Sequence, residues 1–180
     1  MSMQSRSALT SVPMGDDLDI YEETGHAHVL CTAALDAGII AAPLGRALGV
    51  DVPLAPGPVM VGEDRAAMWL SPRSWLIRLP EAAEDQVMQA VLARFPERTV
   101  HASRYSDQLC WLGIEGAASA DLLAAGGFIS LERDGLPIGH IKRTLFADVP
   151  VLIWRRAQSD WSVAVERSRA GYLAAWIARI

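Results

Sequence analysis

Cysteine is scarce in this 180-residue chain, and long apolar runs are missing from it. The two cysteines, Cys31 and Cys110, both lie in apolar surroundings, a pattern typical of reduced and buried thiols. No apolar stretch approaches the roughly 20 residues that a membrane helix needs. The first residues, Met1–Ser7, lack the apolar core of a signal peptide. We therefore expect a cytoplasmic protein with no membrane partner.

Positive charge is scarce as well. The formal net charge is −5 and the sequence pI is about 5.3, which argues against nucleic acid as a partner because phosphate binding needs clustered cations. Apolar residues make up 51% of the chain and charged residues 21%, enough to build a sizeable core. Six tryptophans are many for this length, and tryptophan is common where proteins meet a partner.

The glycine-rich motifs of nucleotide sites are absent. Neither Gly-x4-Gly-Lys-Ser/Thr nor a Gly-x-Gly-x-x-Gly after a strand occurs, so the chain shows no sign of a phosphate loop or a dinucleotide site. A Gly-x-Ser-x-Gly elbow is missing too. His101, Ser103 and Asp107 are the residues that would suggest a hydrolase, but nothing in the sequence activates or orients them. A polar strand edge is the better interpretation.

His26, His28 and Cys31 form the one cluster with metal-ligand character. A tetrahedral structural zinc site needs four ligands, and no fourth lies nearby in the sequence. Cys110 and His140 are too far along the chain to complete the set. The cluster therefore predicts a strand edge with a buried cysteine and no metal site.

A regular succession of strand and helix patterns begins at Arg65. From there the patterns run β-β-α-β-β-α, a linker over residues 126–142, and β-β-α, with one long strand over Arg143–Arg156. Strand pairs that alternate with helices predict an α+β fold, with an antiparallel or mixed sheet and helices on one face. Residues 1–20 show no sustained period and predict a flexible arm, so residues 21–180 are expected to form a single domain.

The patterns before Arg65 are weaker. His28–Thr32 predicts a short strand, and Ala33–Leu48 predicts a weak helix because glycine and proline interrupt it. Gly49–Pro58 is rich in proline and glycine and predicts an irregular connector.

Six residues are candidates for contact with a partner or an anion: Lys142, Arg143, Arg155, Arg156, Trp69 and Trp154. The four basic residues flank the long predicted strand and would supply a cationic rim for a carboxylate or an acidic surface. The alternative is that they only solubilise the ends of the strand. The two tryptophans have arginines close in sequence, a combination that interfaces favour, and a place in the core is the alternative for both.

Five segments follow one another in an order and spacing that match a known family. They are Met68–Ile77, Leu112–Ala124, Ile138–Thr144, Val149–Arg155 and Val163–Leu173. Together, over roughly residues 40–180, they resemble the gamma subunit family of heterotetrameric sarcosine oxidase.

This resemblance implies a ferredoxin-like fold similar to the folate-binding domain of aminomethyltransferase. It also implies a non-catalytic accessory subunit whose partners are the alpha, beta and delta subunits. Such a complex demethylates sarcosine oxidatively to glycine, releases hydrogen peroxide and passes the one-carbon unit to tetrahydrofolate. FAD, FMN, NAD and zinc are then expected in the partner subunits, with no cofactor in this chain.

Two alternatives remain open at this stage. A freestanding folate-binding or one-carbon-binding protein of the same fold would need a carboxylate for the pterin ring, and Glu115, Asp121 and Glu132 are the acids near the central elements. An orphan interaction domain is the third interpretation. A subunit is expected to expose an apolar patch larger than a few hundred Å², whereas a self-contained binder is expected to have a filled pocket.

Overall fold

The computed structural model describes residues 17–127 and 135–180. The strands are β1 (Asp19–Glu22), β2 (His26–Ala33), β3 (Val59–Val61), β4 (Ala66–Ser71), β5 (Ser74–Pro80), β6 (Val100–Arg104), β7 (Leu109–Glu115), β8 (His140–Phe146), β9 (Val149–Ala157) and β10 (Asp160–Glu166). The α-helices are α1 (Ala37–Leu48), α2 (Glu84–Arg94), α3 (Ser119–Gly126) and α4 (Arg167–Ile177). They divide between two compact units.

The central unit is Gly25–Asp107. Its sheet has the strand order β3-β4-β5-β2-β6, and every pair is antiparallel. The four strands β4-β5-β2-β6, with α1 and α2 as connections, have the ferredoxin-like order, and β3 is added at one edge. Both helices pack on the same face, where Val29, Trp75 and Ile77 meet Leu44 and Val91 in the core.

Helix α1 forms although proline and glycine interrupt its sequence. Asp36 caps its start, because the carboxylate accepts a hydrogen bond from the Gly38 N–H at 2.8 Å. Gly49 ends it with a φ of 72°, which glycine adopts without steric cost. Leu44 is fully buried. Tertiary packing therefore outweighs the weak helix propensity.

The terminal unit comprises the described residues before Gly25 and after Asp107. Its sheet has the order β1-β7-β10-β9-β8 and is also antiparallel throughout. Helices α3 and α4 pack on one face, where Leu112, Ile153 and Trp161 meet Leu123 and Leu173. Antiparallel sheets with helices on one face confirm the predicted α+β class.

The prediction of one long strand over Arg143–Arg156 is wrong, because the structure divides this stretch between β8 and β9. The two strands form a hairpin in which Phe146 pairs with Val149. The two residues between them, Ala147 and Asp148, have φ values of 50° and 63°, as a type I′ turn requires. The prediction failed because such turns usually contain Asn-Gly or Asp-Gly, whereas Ala-Asp gives no such indication.

Other boundaries also changed. The predicted linker over residues 126–142 ends earlier, since β8 begins at His140, and residues 128–134 lie outside the described residues. Of the arm predicted over residues 1–20, residues 1–16 lie outside the described residues, and Asp19 and Ile20 belong to β1. The single domain expected over residues 21–180 stays a prediction. None of the helices in the described ranges has the length and apolarity needed to cross a bilayer.

Candidate interaction surfaces

Arg155 does not lie on a cationic rim. It is 8% exposed and its guanidinium carbon lies 4.8 Å from the centroid of the Trp161 ring. Its Nη1 donates to the Leu136 carbonyl at 3.2 Å, and its Nη2 donates to the Gln158 side chain at 3.2 Å. The arginine therefore holds the segment before β8 and the turn after β9.

Arg156 is also engaged within the chain. Its Nη1 lies 3.0 Å from Glu23 Oε1, and its Nε donates to Asp160 Oδ1 at 2.8 Å. Nη2 lies 3.3 Å from Glu115 Oε1, which also accepts a hydrogen bond from the Tyr21 hydroxyl. Burial, and then this bond to Glu115, raise the pKa of Tyr21. The network ties together strands β1, β7, β9 and β10, so its role is structural.

Lys142 and Arg143 differ from the two arginines of β9. Both are exposed on β8, which is an edge strand. Within the described part of the chain, neither forms an ion pair. In the pairing with β9, Lys142 lies opposite Ile153 and Arg143 opposite Leu152, so the two side chains leave opposite faces of the sheet. Of the predicted rim, these two residues carry charge that no residue in ranges 17–127 and 135–180 pairs with.

The two candidate tryptophans are mostly covered. Trp154 on β9 is 9% exposed, and Trp69 on β4 is half-buried. The indole Nε1 of each is buried and has no hydrogen-bond acceptor among the described residues. Both rings are therefore largely covered within this chain, and their contact with a partner stays a prediction.

The three candidate metal ligands on β2, His26, His28 and Cys31, do not share one face of the strand. His28 and Cys31 are three positions apart on one strand, so they point to opposite faces. Burial first, and then Arg78 and His26, lower the pKa of His28 to about 3. Burial raises the pKa of Cys31 to about 12, so its thiol keeps its proton. Among residues 17–127 and 135–180, no group of three or more His, Cys, Asp or Glu side chains converges as a metal site.

The residues that suggested a hydrolase do not hydrogen-bond to one another in the described structure. Ser103 donates to the Leu30 carbonyl at 3.5 Å, and His101 is exposed on β6. Asp107 lies in the short 3-10 turn that follows that strand. This arrangement is a polar strand edge, and it contains no activated nucleophile.

Two of the three acids considered for a pterin ring lie in the described part of the chain. Glu115 belongs to the Arg156 network, and Asp121 is exposed in the first turn of α3. Glu132 lies outside the described residues. Of these acids, Glu115 is thus engaged within the chain and Asp121 faces solvent.

A surface that the sequence did not reveal lies on the central unit. We call it the α1–β3 surface, and it comprises the outer side of α1, residues 51–58 and β3. It exposes three large aliphatic side chains: Ile39 is 66% exposed, Leu54 61% and Val61 66%. An apolar groove of about 480 Å³, lined by Ala42, Val52 and other residues of this surface, runs along it. A second groove of about 450 Å³ adjoins it and shares Asp51 and Met60 with the first.

The α1–β3 surface rests on an anchored support. The indole of the fully buried Trp75 donates to the Pro53 carbonyl at 2.8 Å, which fixes the segment of residues 51–58. Arg65 donates to the Leu48 carbonyl at the end of α1. One indication was present in the sequence: α1 contains a single charged residue, Arg46, among its 12 positions. A helix that needed only to be solvated on its outer side would carry more charge.

Comparison with known proteins identifies a family. The model of the family described as "Sarcosine oxidase, gamma subunit family" matches residues 32–180. The sarcosine oxidase subunit gamma of Corynebacterium sp. strain U-96 is 27% identical over 139 residues, and that of strain P-1 is 25% identical over 137 residues. Each alignment covers 76% of this chain and 66% of the relative. The chain therefore spans just under two thirds of the length of these relatives.

Two solved structures share the fold. A chain of the heterotetrameric sarcosine oxidase from Corynebacterium sp. U-96, in complex with pyrrole 2-carboxylate, superposes with a TM-score of 0.82 at 21% identity, and the match covers 92% of this chain and 85% of that one. The glycine cleavage system aminomethyltransferase T from Bartonella henselae gives a TM-score of 0.65 at 11% identity, over 89% of this chain and 45% of that one. The predicted likeness to the aminomethyltransferase fold is confirmed.

Proposed function

The chain belongs to the sarcosine oxidase gamma subunit family, and on this basis we propose that it is a non-catalytic subunit of a flavin-dependent sarcosine oxidase complex. Its partners are the alpha, beta and delta subunits, and FAD, FMN, NAD and zinc reside in those partners. The complex converts sarcosine to glycine with release of hydrogen peroxide and passes the one-carbon unit to tetrahydrofolate. This chain contributes binding surface and no reacting group.

The observation that carries the proposal is the α1–β3 surface. Leu54 lines the apolar groove, Val61 lines the adjoining one, and Ile39 is exposed on α1, the helix whose Ala41 and Ala42 also line the first groove. Large apolar patches on a folded protein mark places where a partner binds. Burying an aliphatic side chain contributes about 1.5–3 kcal/mol, so three such residues supply a substantial apolar contribution to assembly. The anchoring of the loop by Trp75 limits the entropy lost on binding, because residues 51–58 are already held.

Co-expression with the alpha, beta and delta subunits tests the proposal. We expect this chain to co-elute with the flavoproteins on size-exclusion chromatography, and the complex to produce peroxide with sarcosine. Omission of this chain is expected to abolish the soluble complex. If the complex assembles and turns over sarcosine without it, the proposal is wrong.

A pair of variants tests the role of the α1–β3 surface. Ile39→Ser combined with Leu54→Ser removes two exposed aliphatic side chains of the surface, and we expect assembly to weaken by about tenfold or more. The control combines Leu92→Ser and Tyr172→Ser, whose side chains are 52% and 53% exposed but lie on α2 and α4. The control is expected to assemble like the wild type. Equal assembly of both variants would exclude this surface.

The freestanding folate-binding alternative makes a different prediction. The structural likeness to aminomethyltransferase concerns the fold alone, since the identity is 11%. Calorimetric titration of the isolated chain with tetrahydrofolate distinguishes the two functions. Saturable one-to-one binding without any partner would favour the alternative.

A further inference from the structure

Strand β6 forms an open edge of the central sheet. It is the last strand in the order β3-β4-β5-β2-β6, and β2 is the one strand of the described chain that pairs with it. On that side the Tyr105 N–H donates to the His28 carbonyl at 2.7 Å. Residues that bond across an antiparallel pair alternate with residues whose backbone groups point away. The outward N–H and C=O groups are therefore those of Val100, Ala102 and Arg104, and an added strand would use them.

An apolar groove of about 250 Å³ lies between this edge and helix α2, and we call it the α2–β6 groove. Met88 and Leu92 line it from the helix, and Val100 and Ala102 line it from the strand. Leu92 is 52% exposed. Val100 and Ala102 lie opposite core residues of β2, so their side chains are on the helix side of the sheet. Side chains directly opposite them on an added strand would enter the groove.

The two ends of the groove differ in charge. Helix α2 and strand β6 follow each other through a short turn, and the guanidinium of Arg104 at the end of β6 pairs with Glu84 and Asp85 at the start of α2. Arg98 lines the groove at the other end, where β6 begins. It is exposed and forms no ion pair with a residue in the ranges 17–127 and 135–180. The groove therefore offers a cation at one end only.

The backbone of Arg98 is in a conformation that arginine rarely adopts. Its φ is 54°, in the left-handed region that glycine and asparagine enter more readily. Its N–H donates to the Phe95 carbonyl at 2.9 Å and closes the turn after α2. Residues held in sparsely populated conformations are concentrated at ligand sites. The turn alone would be served better by glycine, so the arginine side chain points to a role in binding.

We propose that the α2–β6 groove binds the extended carboxyl-terminal segment of another polypeptide. The segment adds to β6 in the antiparallel direction, its aliphatic side chains enter the groove, and its terminal carboxylate lies at Arg98. A chain that ends at this point loses no backbone partner, because β6 begins at Val100. A chain that carried the carboxylate on a side chain would have to continue past the end of the strand.

This inference goes beyond the proposed function and does not rest on it. β6 and β3 are the two opposite edges of the central sheet, so the groove is separate from the α1–β3 surface. Assembly through that surface does not require the groove, and Leu92→Ser therefore belongs to the control variant there.

A peptide array tests the ligand chemistry on the full chain. The array holds pentapeptides with a free carboxyl terminus, in which the last residue and the third from the end are varied over all amino acids. A second array carries the same peptides as carboxamides. We expect the strongest binding with aliphatic residues at both positions, and at least about fivefold weaker binding of the carboxamides. If no peptide binds, or if the carboxamides bind equally well, the proposal is wrong.

The variant Arg98→Asn tests the placement of the carboxylate. Asparagine tolerates the left-handed backbone, so the variant is expected to melt no lower than the wild type. We expect it to bind the best peptide acid at least about fivefold more weakly and to lose the preference for acid over carboxamide. The control Arg94→Gln removes the same charge at an exposed position of α2 that does not line the groove. It is expected to bind within about twofold of the wild type. A preference for the acid that survives in Arg98→Asn would contradict the assignment.

Hydrogen–deuterium exchange tests the strand addition. We expect the peptide acid to protect amides within residues 100–104. Binding without this protection would exclude the added strand, and protection that rises with protein concentration alone would identify a second copy of this chain as the occupant. Each result would overturn the inference. Failure of the chain to co-elute with the other subunits would remove the proposed function and leave this inference standing.

Discussion

The central and terminal units have the same plan but use different side chains. Each runs strand, helix, three strands, helix and a closing strand, and in the terminal unit the closing strand is β1 from the beginning of the chain. The sheet orders β6-β2-β5-β4-β3 and β1-β7-β10-β9-β8 correspond strand by strand. Yet the sequence shows no repeat of fixed period. The shared order of strands and helices is therefore encoded by the order and alternation of apolar residues. Many different side chains satisfy this pattern.

Each unit is centred on one tryptophan at the corresponding position. Trp75 and Trp161 are both the second residue of the strand that precedes the second helix, and both are fully buried. Trp75 donates to a backbone carbonyl, that of Pro53. Trp161 donates to the Ser119 side chain at 3.1 Å and carries the Arg155 guanidinium over its ring. The position is shared, whereas the hydrogen-bond partner is particular to each unit.

The largest expected effect comes from removing either tryptophan. Trp75→Ala and Trp161→Ala each delete a fully buried ring, and we expect each to lower the free energy of unfolding by about 3–5 kcal/mol. Urea denaturation followed by circular dichroism measures the loss, and hydrogen exchange locates it in the central or the terminal unit. Leu92→Ser, at an exposed position of α2, serves as the control and is expected to change stability by less than about 0.5 kcal/mol. A loss below about 1 kcal/mol in one unit would show that the two positions are not equivalent.

The terminal unit differs from the central unit in a close contact between one glycine and two aromatic rings. Gly126 ends α3 against Phe146 and Trp176, whose rings meet edge to face at 5.3 Å. A Cβ at Gly126 would lie 2.5 Å from atoms of both rings. Because Phe146 is fully buried, we expect Gly126→Ala to lower stability by about 1–3 kcal/mol.

Gly171 in α4 provides the matched control for this prediction. A Cβ there meets no atom within 4 Å, so Gly171→Ala is expected to raise stability by about 0.5–1 kcal/mol through helix propensity. Both changes are measured by thermal melting. Effects of the same sign at the two glycines would contradict the role assigned to ring contact.

The sequence predicted the fold class because its longest elements carry clear periodicity. Trp75, Ile77 and Leu79 alternate along β5, and Val87 and Val91 recur along α2; all five are buried. The family resemblance came from the ordered series of such segments, and the match of the family model over residues 32–180 confirms it.

The elements that escaped prediction depend on distant pairing. β1 and β3 have four and three residues, too few for a periodic pattern, and they are strands because β7 and β4 lie beside them. The turn at Ala147 was missed because its conformation is imposed by the hairpin.

The candidate surfaces were predictable only in part. The sequence placed four basic residues together. Only the structure separates Arg155 and Arg156, which are engaged within the chain, from Lys142 and Arg143, which form no ion pair with another described residue. Which side of an apolar helix stays exposed depends on what packs against it, so the α1–β3 surface could not be read from α1 alone.

The last expected effect is a loss of stability in acid, which would distinguish the central unit from the terminal unit because it arises from His28. This side chain is 5% exposed, and burial, followed by Arg78 and His26, lowers its pKa from 6.5 to about 3. The unfolded chain therefore binds a proton that the folded chain does not, throughout the range between these values. The contribution of the neutral, buried His28 to the free energy of unfolding is fully present above pH 6.5. It is lost progressively as the pH falls toward 3. At about pH 5.5 the loss relative to pH 7 is expected to be about 1 kcal/mol.

Urea unfolding at the two pH values measures this loss in the wild type and in two variants. His28→Gln is expected to reduce the difference between the two pH values, because glutamine does not titrate. His101→Gln removes an exposed histidine of the same unit and is expected to keep the wild-type difference. Hydrogen exchange in the acidic buffer should show protection lost first in residues 25–107. If all three proteins show equal pH dependence, groups other than His28 cause the acid sensitivity. The same conclusion follows if protection is lost first around β8 to β10, and in either case the two units do not differ in this respect.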